Sequence, residues 1–182
     1  MYDINRWPSV RGVLDVCGRE HALDVARLAR QAAPSLHVDP DLAYLAGLLH
    51  DVGKISVPLD ILMAERALSE SEWTLVRAHP VEGEGLIRTW WPDAPAALLH
   101  AVRHHHERLD GLGYPDQLRA LPDLTALVAA ADVYVALREA RPYREPVGAL
   151  ACAEILWSEP LPAHVIHAVL DAAVTDSVTR VV

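Results

Sequence analysis

Residues 124–137 form a strongly apolar segment that carries one interior charge, Asp132. The segment is rich in Ala, Leu and Val, and its length predicts a central helix. A carboxylate buried on such a helix costs several kcal/mol unless it is paired or bound to a metal. The fold must therefore bring a cationic partner to Asp132, and a divalent cation is the simplest one.

Most of the remaining chain also shows the spacing of apolar residues that is typical of helices. Asp39 before Pro40 and the capping-box pattern of residues 69–72 mark two helix starts. The predicted helices run over about 10–32, 40–50, 58–63, 70–78, 80–91, 94–104, 146–157 and 162–173. We expect a single-domain all-α helical bundle over 1–182, with an irregular lead-in over about 1–9 and a loose tail over about 174–182.

Composition excludes several classes of partner. The net charge of −9 disfavours binding to a DNA or RNA polymer or to an anionic membrane surface. The two cysteines make no disulfide framework, residues 1–10 do not read as a signal segment, and no apolar run approaches the ~20 residues of a membrane span. We expect a cytoplasmic protein with no membrane contact, in which an anionic substrate needs locally gathered cations.

Several histidines and carboxylates are predicted to face inward or to lie at neighbouring helix ends. They are His21, His50, Asp51, His79, His105, His106 and Asp132. Five imidazoles and two carboxylates are too many for one ion and suit two, with Asp51 able to bridge through its two oxygens. Because the set contains no thiolate, it disfavours a structural zinc site and favours two iron or manganese ions.

Taken singly, these residues have ordinary explanations. A lone inward histidine such as His21 is more often a hydrogen-bonded core residue than a metal ligand, and Lys54 would usually be a solvated surface lysine. Gly111 and Gly113 would usually be turn glycines in the Gly- and Pro-rich segment 107–122. That segment is long for a connection, which is typical of a functional loop. The joint occurrence of all these features favours a functional site.

The chain resembles the HD-GYP family, a subgroup of the HD metal-dependent phosphohydrolases. The resemblance extends over nearly all of the chain from His21 onward. It rests on His50-Asp51-Val52-Gly53-Lys54-Ile55, on His79-Pro80, on residues 105–115 in the pattern HHE-x-x-DG-x-GYP, on Ala131-Asp132-Val133-Tyr134 and on Arg141-Pro142-Tyr143-Arg144. The motif assigns His105 and His106 to the site and leaves His104 outside it.

The resemblance implies an HD-type bundle with a binuclear metal centre in its core and a GYP loop over the site. It implies a cyclic-di-GMP phosphodiesterase of bacterial second-messenger signalling, in which a metal-bridging hydroxide opens the ring to linear pGpG and in some cases continues to GMP. By the same analogy, all seven residues named above bind the metals. Lys54 and Asp51 are then the catalytic residues, with Lys54 on the scissile phosphate.

Other residues of the motifs are implied to contact the substrate or to hold the loop. These are Asp110, Gly111, Gly113, Tyr114, Pro115 and Arg144. Alternatives are a phosphodiesterase for another cyclic dinucleotide such as cyclic GMP-AMP, a nucleotide phosphatase, or a catalytically weak receptor or protein-interaction module. A receptor is expected to have lost metal ligands, whereas none is lost here. A homodimer or a signalling-protein partner is compatible with each reading.

Three departures from the family pattern have consequences. Some members carry a Glu, a ligand to a third metal, where this chain has Cys17, which predicts a binuclear site. Val135 stands where the family usually has a second acidic residue, and the loss of a carboxylate beside the ligands can cost metal affinity. Leu109 and Leu112 replace commoner residues of the loop and could alter substrate preference.

Overall fold

The structure, a computed structural model, describes residues 12, 14, 15, 18–139 and 146–179. Within these residues every regular element is a helix, so the all-α prediction is confirmed. The α-helices are α1 (Arg19–Ala32), α2 (Pro40–Leu49), α3 (Leu59–Leu62), α4 (Glu70–Arg77), α5 (His79–Trp90), α6 (Ala96–His104), α7 (Asp123–Arg138), α8 (Ala149–Ser158) and α9 (Ala163–Thr179). Short 3-10 turns cover Ala33–Leu36 and Val52–Ser56.

The helix starts follow the local sequence. The Asp39 side chain caps α2 by accepting from the backbone nitrogen of Asp41 at 2.8 Å. Ser69 and Glu72 form the predicted capping box of α4. The helix predicted over about 10–32 is interrupted at Gly18, whose φ of 94° only glycine adopts readily. The described residues 12, 14 and 15 are helical, and α1 begins at Arg19.

α7 is the central helix of the bundle. Every residue from Leu124 to Ala131 is buried, and the helix packs against α1, α2, α6, α8 and α9. α1 and α2 approach each other closely, since a methyl group on Gly47 would lie 2.8 Å from Cα of Ala26. Asp132 is the first polar residue after the buried stretch, so the core leads directly into the candidate site.

The 3-10 turn Val52–Ser56 brings the end of α2 against the start of α5. A Cβ on Gly53 would lie only 1.9 Å from the carbonyl oxygen of His79, so no larger residue fits there without a backbone shift. This close approach places His50 and Asp51 beside His79, although the two segments are separated by α3 and α4 in the chain.

The two ends of the chain differ from expectation or lie outside the described residues. α9 continues to Thr179, past residue 173 where the sequence predicts its end, because residues 174–179 contain no Pro or Gly to stop it. The predicted lead-in over 1–9 falls outside the described residues. The described α-helices other than α3 and α4 share one hydrophobic core, and a single domain over all 182 residues stays a prediction. None of the helices that the structure describes is both long and apolar enough to cross a membrane.

Candidate metal centre

Three histidines of the site are oriented by the backbone of a helix end. In each of them, Nδ1 donates to the carbonyl oxygen of the residue three positions earlier. The donor–acceptor pairs are His50 to Gly47 at 2.6 Å, His79 to Val76 at 2.7 Å and His105 to Val102 at 2.8 Å. Carbonyl groups in the last turn of a helix lack an intrahelical donor and are available for such bonds. Each imidazole therefore directs Nε2 toward the centre of the site, as a metal ligand would.

His21 is held differently, by two carboxylates. Its Nδ1 lies 2.7 Å from Oε1 of Glu139 and its Nε2 lies 3.0 Å from Oδ1 of Asp132. The same Asp132 oxygen lies 3.8 Å from Nε2 of His50. The charged residue of the central helix thus meets the imidazoles of α1 and α2, as its burial on an apolar helix predicts.

Asp51 lies between two groups of imidazoles. Its Oδ1 is 3.2 Å from Nε2 of His79 and 3.9 Å from Nε2 of His105. Its Oδ2 is 3.4 Å from Nε2 of His50 and also accepts from Nζ of Lys54. Candidate ligand atoms lie within 4.8 Å of one another in two sets, one of Asp51, His79, His105 and His106 and the other of His21, His50 and Asp51.

Within the described part of the chain, two atoms at the centre of this cluster have no hydrogen-bond partner. They are Nε2 of His50, whose residue is 0% exposed, and Oδ1 of Asp51, whose residue is 3% exposed. A buried polar atom without a partner costs about 1–3 kcal/mol. A divalent cation would satisfy both atoms, and imidazole nitrogen and carboxylate oxygen are donors that such a cation accepts. The residues present therefore fit a divalent metal ion.

The protonation states of His105 and His106 also suit metal binding. Burial lowers the pKa of His106 to about 3 and that of His105 well below its ordinary value, so both rings are neutral and able to bind a metal. Burial also disfavours the charged form of His21, but the hydrogen bond and charge of Asp132 outweigh it and raise that pKa to about 9. The imidazoles and Lys54 in turn lower the pKa of Asp51 despite its burial.

Residues 107–118, called here the signature loop, close over one side of the cluster. The Tyr114 ring stacks on the His106 ring with centroids 4.7 Å apart and planes at 24°, and the Tyr114–Pro115 peptide bond is cis. Gly111 has a φ of 72°, and Oδ1 of Asp110 accepts from the backbone nitrogen of Leu112 at 2.9 Å. Tyr114 therefore reaches the histidines, whereas Asp110 and Gly111 shape the loop, and their contact with substrate stays a prediction.

Glu107 anchors this loop from inside. Its side chain is fully buried and accepts from the backbone nitrogens of Asp116 at 2.6 Å and Leu118 at 3.0 Å. A Cβ on Gly113 would lie 2.4 Å from Cα of Glu107, so the loop crosses directly over this residue. Nε2 of His104 lies 2.8 Å from Oδ2 of Asp116, which places His104 outside the cluster, as the motif predicts.

The structure brings together all seven histidines and aspartates predicted as metal ligands. Two predicted residues, Cys17 and Arg144, lie outside the described residues, so the inference of a binuclear site from Cys17 and the substrate role of Arg144 stay predictions. The sequence analysis missed Glu139. Its position seven residues after Asp132, directly after the last residue of α7, is a signal that could have indicated it.

Comparison with known proteins agrees with this geometry. Residues 18–137 match the HD domain family. The chain is 34% identical to 3'3'-cGAMP-specific phosphodiesterase 1 of Vibrio cholerae over 75% of its length and 32% of that protein. It is 38% identical to a cyclic di-GMP phosphodiesterase of Pseudomonas aeruginosa over 69% of its length and 31% of that protein. The chain thus spans about a third of the length of these relatives.

A solved structure shows the same fold. An HDG"Y"P protein from Bdellovibrio bacteriovorus superposes with a TM-score of 0.64 at 26% identity, over 83% of this chain and 50% of that one. The helical bundle with histidines and aspartates in its core is therefore of the HD-domain type. The resemblance to HD-GYP phosphohydrolases is confirmed, and the chain belongs to the HD domain family.

Proposed function

We propose that this protein is a metal-dependent phosphodiesterase that hydrolyses cyclic di-GMP to linear pGpG, and in some conditions to GMP, at a centre of two divalent ions. The observation that carries the proposal is the position of Asp51, whose two oxygens face two different groups of imidazoles. The activities of the relatives support the substrate class, since both act on cyclic dinucleotides.

The candidate ligands form two sets, one for each ion. His79, His105 and His106 would hold one ion and His21 and His50 the other, with Asp51 shared between them and Asp132 beside His21. Neutral nitrogen and carboxylate donors without thiolate favour iron(II) or manganese(II). When bound, two such ions supply an activated water as nucleophile and neutralise charge on the phosphoryl oxygens.

Lys54 is placed to act on the phosphate. Its side chain is 29% exposed, while its Nζ donates to Oδ2 of the buried Asp51. The ammonium group therefore lies at the boundary between the ligand cluster and solvent, where a phosphodiester would enter. There it would stabilise negative charge on the non-bridging oxygens as the pentavalent phosphorus forms.

Tyr114 is a second candidate for substrate contact. The ordinary phenol pKa of about 10 already keeps the hydroxyl protonated at neutral pH, and burial with the charges of Asp51 and Asp132 raises the pKa of Tyr114 further. A phenol held in this form donates a hydrogen bond, and a phosphate or ribose oxygen of the substrate is a suitable acceptor. Its stacking on His106 keeps the ring at the edge of the ligand cluster.

Hydrolysis of cyclic GMP-AMP is the alternative activity, and the relative from Vibrio cholerae favours it. The ligand cluster acts on the phosphodiester that both substrates share, so its geometry does not distinguish their bases. A cytoplasmic location and a homodimer or signalling-protein partner stay predictions. A receptor role without catalysis is the less favoured alternative, since the described residues keep all seven predicted ligands together.

The test is turnover of cyclic di-GMP and of cyclic GMP-AMP by protein loaded with iron(II) or manganese(II) without oxygen, with products separated by chromatography. We expect pGpG as the first product from cyclic di-GMP, and no product from His50→Ala or Asp51→Asn. His164→Ala is the matched control, because this exposed histidine contacts Asp123 on the outer surface and should leave turnover unchanged. Failure to cleave either dinucleotide with both ions bound would overturn the proposal.

A further inference from the structure

His21 differs from three other histidines of the centre in what holds its Nδ1. His50, His79 and His105 use a backbone carbonyl three residues earlier. His21 uses the carboxylate of Glu139, which is 118 residues away in the chain and 2.7 Å away in space. A side chain so distant in sequence must be brought there by the packing of α1 against the end of α7.

The reason for the difference is the position of His21 within its helix. His21 is the third residue of α1, at the start rather than the end of a helix. The carbonyl three residues earlier belongs to Gly18, and it already accepts from the backbone nitrogen of Ala22 at 3.1 Å. Carbonyl groups at a helix start point into the helix and are used there. The Nδ1 of His21 therefore needs an acceptor from elsewhere in the fold.

α7 supplies acceptors on both sides of the His21 ring. Asp132 lies within α7, and Glu139 directly follows its last residue. Their spacing of seven residues, two helical turns, places them on one side of the helix. Asp132 contacts Nε2 at 3.0 Å and Glu139 contacts Nδ1 at 2.7 Å. Because a carboxylate only accepts hydrogen bonds, the ring donates from both nitrogens here. A metal ion would replace the proton on Nε2, the nitrogen directed to the cluster, while Glu139 keeps the proton on Nδ1.

A charged acceptor also has a chemical effect that a carbonyl does not match. Hydrogen bonds to a carboxylate are stronger than those to neutral groups, and they make the imidazole a better electron donor to a metal. Val135, where the family pattern predicts a carboxylate, is buried among apolar residues of the core. Glu139, one turn further along, provides a carboxylate beside the ligands in this chain.

We propose that Glu139 is a positioning residue, which sets the tautomer and orientation of His21 so that Nε2 binds one of the two metal ions. This inference rests on the metal centre proposed above. It predicts that the binding of the ion held by His21 and His50 depends on Glu139. The binding of the ion held by His79, His105 and His106 should not depend on it.

Direct titration with Mn(II), followed by the electron paramagnetic resonance of the free ion, tests the inference without measuring turnover. For Glu139→Ala we expect one of the two ions to bind about 10- to 100-fold more weakly, with the other unchanged. Glu139→Gln keeps an acceptor oxygen but loses the charge, so its loss of Mn(II) affinity should be smaller than that of Glu139→Ala. Glu154→Gln, an exposed glutamate on α8, is the matched control and should bind both ions as the wild type does.

A double-mutant cycle shows whether Glu139 acts through His21. His21→Ala and the double variant His21→Ala/Glu139→Ala should have the same Mn(II) affinity, because the carboxylate has nothing left to orient. Equal weakening of both ions, or a further loss in the double variant, would assign Glu139 a general structural role and overturn the inference. Unchanged binding by Glu139→Ala would overturn this inference alone, whereas a wild-type chain that binds no Mn(II) would overturn the proposed centre as well.

Discussion

Arg103 holds Asp116 through two hydrogen bonds, from Nε to Oδ2 at 2.7 Å and from Nη2 to Oδ1 at 3.1 Å. Arg103 lies in α6, the helix that ends at the ligand histidines, and Asp116 lies in the signature loop two residues after Tyr114. Because two hydrogen bonds join the guanidinium to the carboxylate, the two groups resist rotation and sliding relative to each other. The loop over the cluster is therefore tied to the helix that presents two of its histidines.

Breaking this pair should loosen the signature loop. We predict that Arg103→Gln, which also removes the hydrogen bond from Nη1 to Glu84, lowers the free energy of unfolding by about 1 kcal/mol, the upper range for partly exposed ion pairs. It should also lower turnover by a larger factor than the exposed-pair control. The matched control is Arg27→Gln, which removes an exposed pair with Asp24 on α1 and should change little. Urea denaturation and cyclic dinucleotide turnover measure the two effects, and equal effects of both variants would contradict the role of Asp116.

The same pair makes loop stability depend on pH. The hydrogen bond and charge of Arg103, with the contact of His104, lower the pKa of Asp116 to about 2. A carboxyl group whose pKa is depressed by folding stabilises the folded state above its ordinary pKa of about 3.9, and this contribution is lost as the pH falls toward 2. The stability difference between wild type and Asp116→Asn should therefore shrink between pH 4 and 2. A difference that is constant over this interval would contradict the assignment.

Glu107 should be intolerant of a change that keeps its size. Its carboxylate accepts from two backbone nitrogens while fully buried, and Glu107→Gln turns an amide NH2 toward one of those donors. We predict a loss of about 2 kcal/mol in unfolding free energy, because a charged hydrogen bond is replaced by an amide NH2 that faces a backbone N–H. Urea denaturation measures the loss. Wild-type stability in Glu107→Gln would show that the two nitrogens find other acceptors.

Two glycines of the same region should respond in opposite ways to alanine. Gly53→Ala places a methyl group 1.9 Å from the backbone oxygen of His79, so α5 or the 3-10 turn must shift and the ligand cluster is disturbed. Gly85 lies within α5 with nothing within 4 Å of the added methyl group. We predict that Gly53→Ala abolishes Mn(II) binding, whereas Gly85→Ala binds normally and is more stable by about 0.5–1 kcal/mol. Metal titration and thermal denaturation distinguish these outcomes.

Metal ions should stabilise the fold, because two central atoms have no hydrogen-bond partner among the described residues. At a free Mn(II) concentration 100 times the dissociation constant, the expected gain in unfolding free energy is about 2.7 kcal/mol. A chelator should reverse the gain. Asp51→Asn should show little of it, whereas His164→Ala should show all of it. Thermal denaturation with and without Mn(II) is the measurement, and an equal shift in Asp51→Asn would place the bound ion elsewhere.

The sequence by itself determined the helices and the residues that the structure gathers into the cluster. Apolar periodicity, the cap at Asp39 and the capping box at Ser69 are local signals, and α2 and α4 begin where those signals place them. Asp132 was predictable because a carboxylate on an apolar helix requires a partner. The requirement predicts a cationic partner without identifying it, and the structure places His21 there. His104 was excluded by the register of one motif.

The tertiary structure alone decided how these residues are supported. The contact of Glu139 with His21 joins residues 118 positions apart, and the close approach of Gly53 to His79 joins two helices that are not consecutive in the chain. No local periodicity encodes such contacts, because they depend on how α1, α5 and α7 pack together. Local patterns select which side chains face inward, whereas the packing of helices sets which nitrogen, oxygen or carbonyl each one meets.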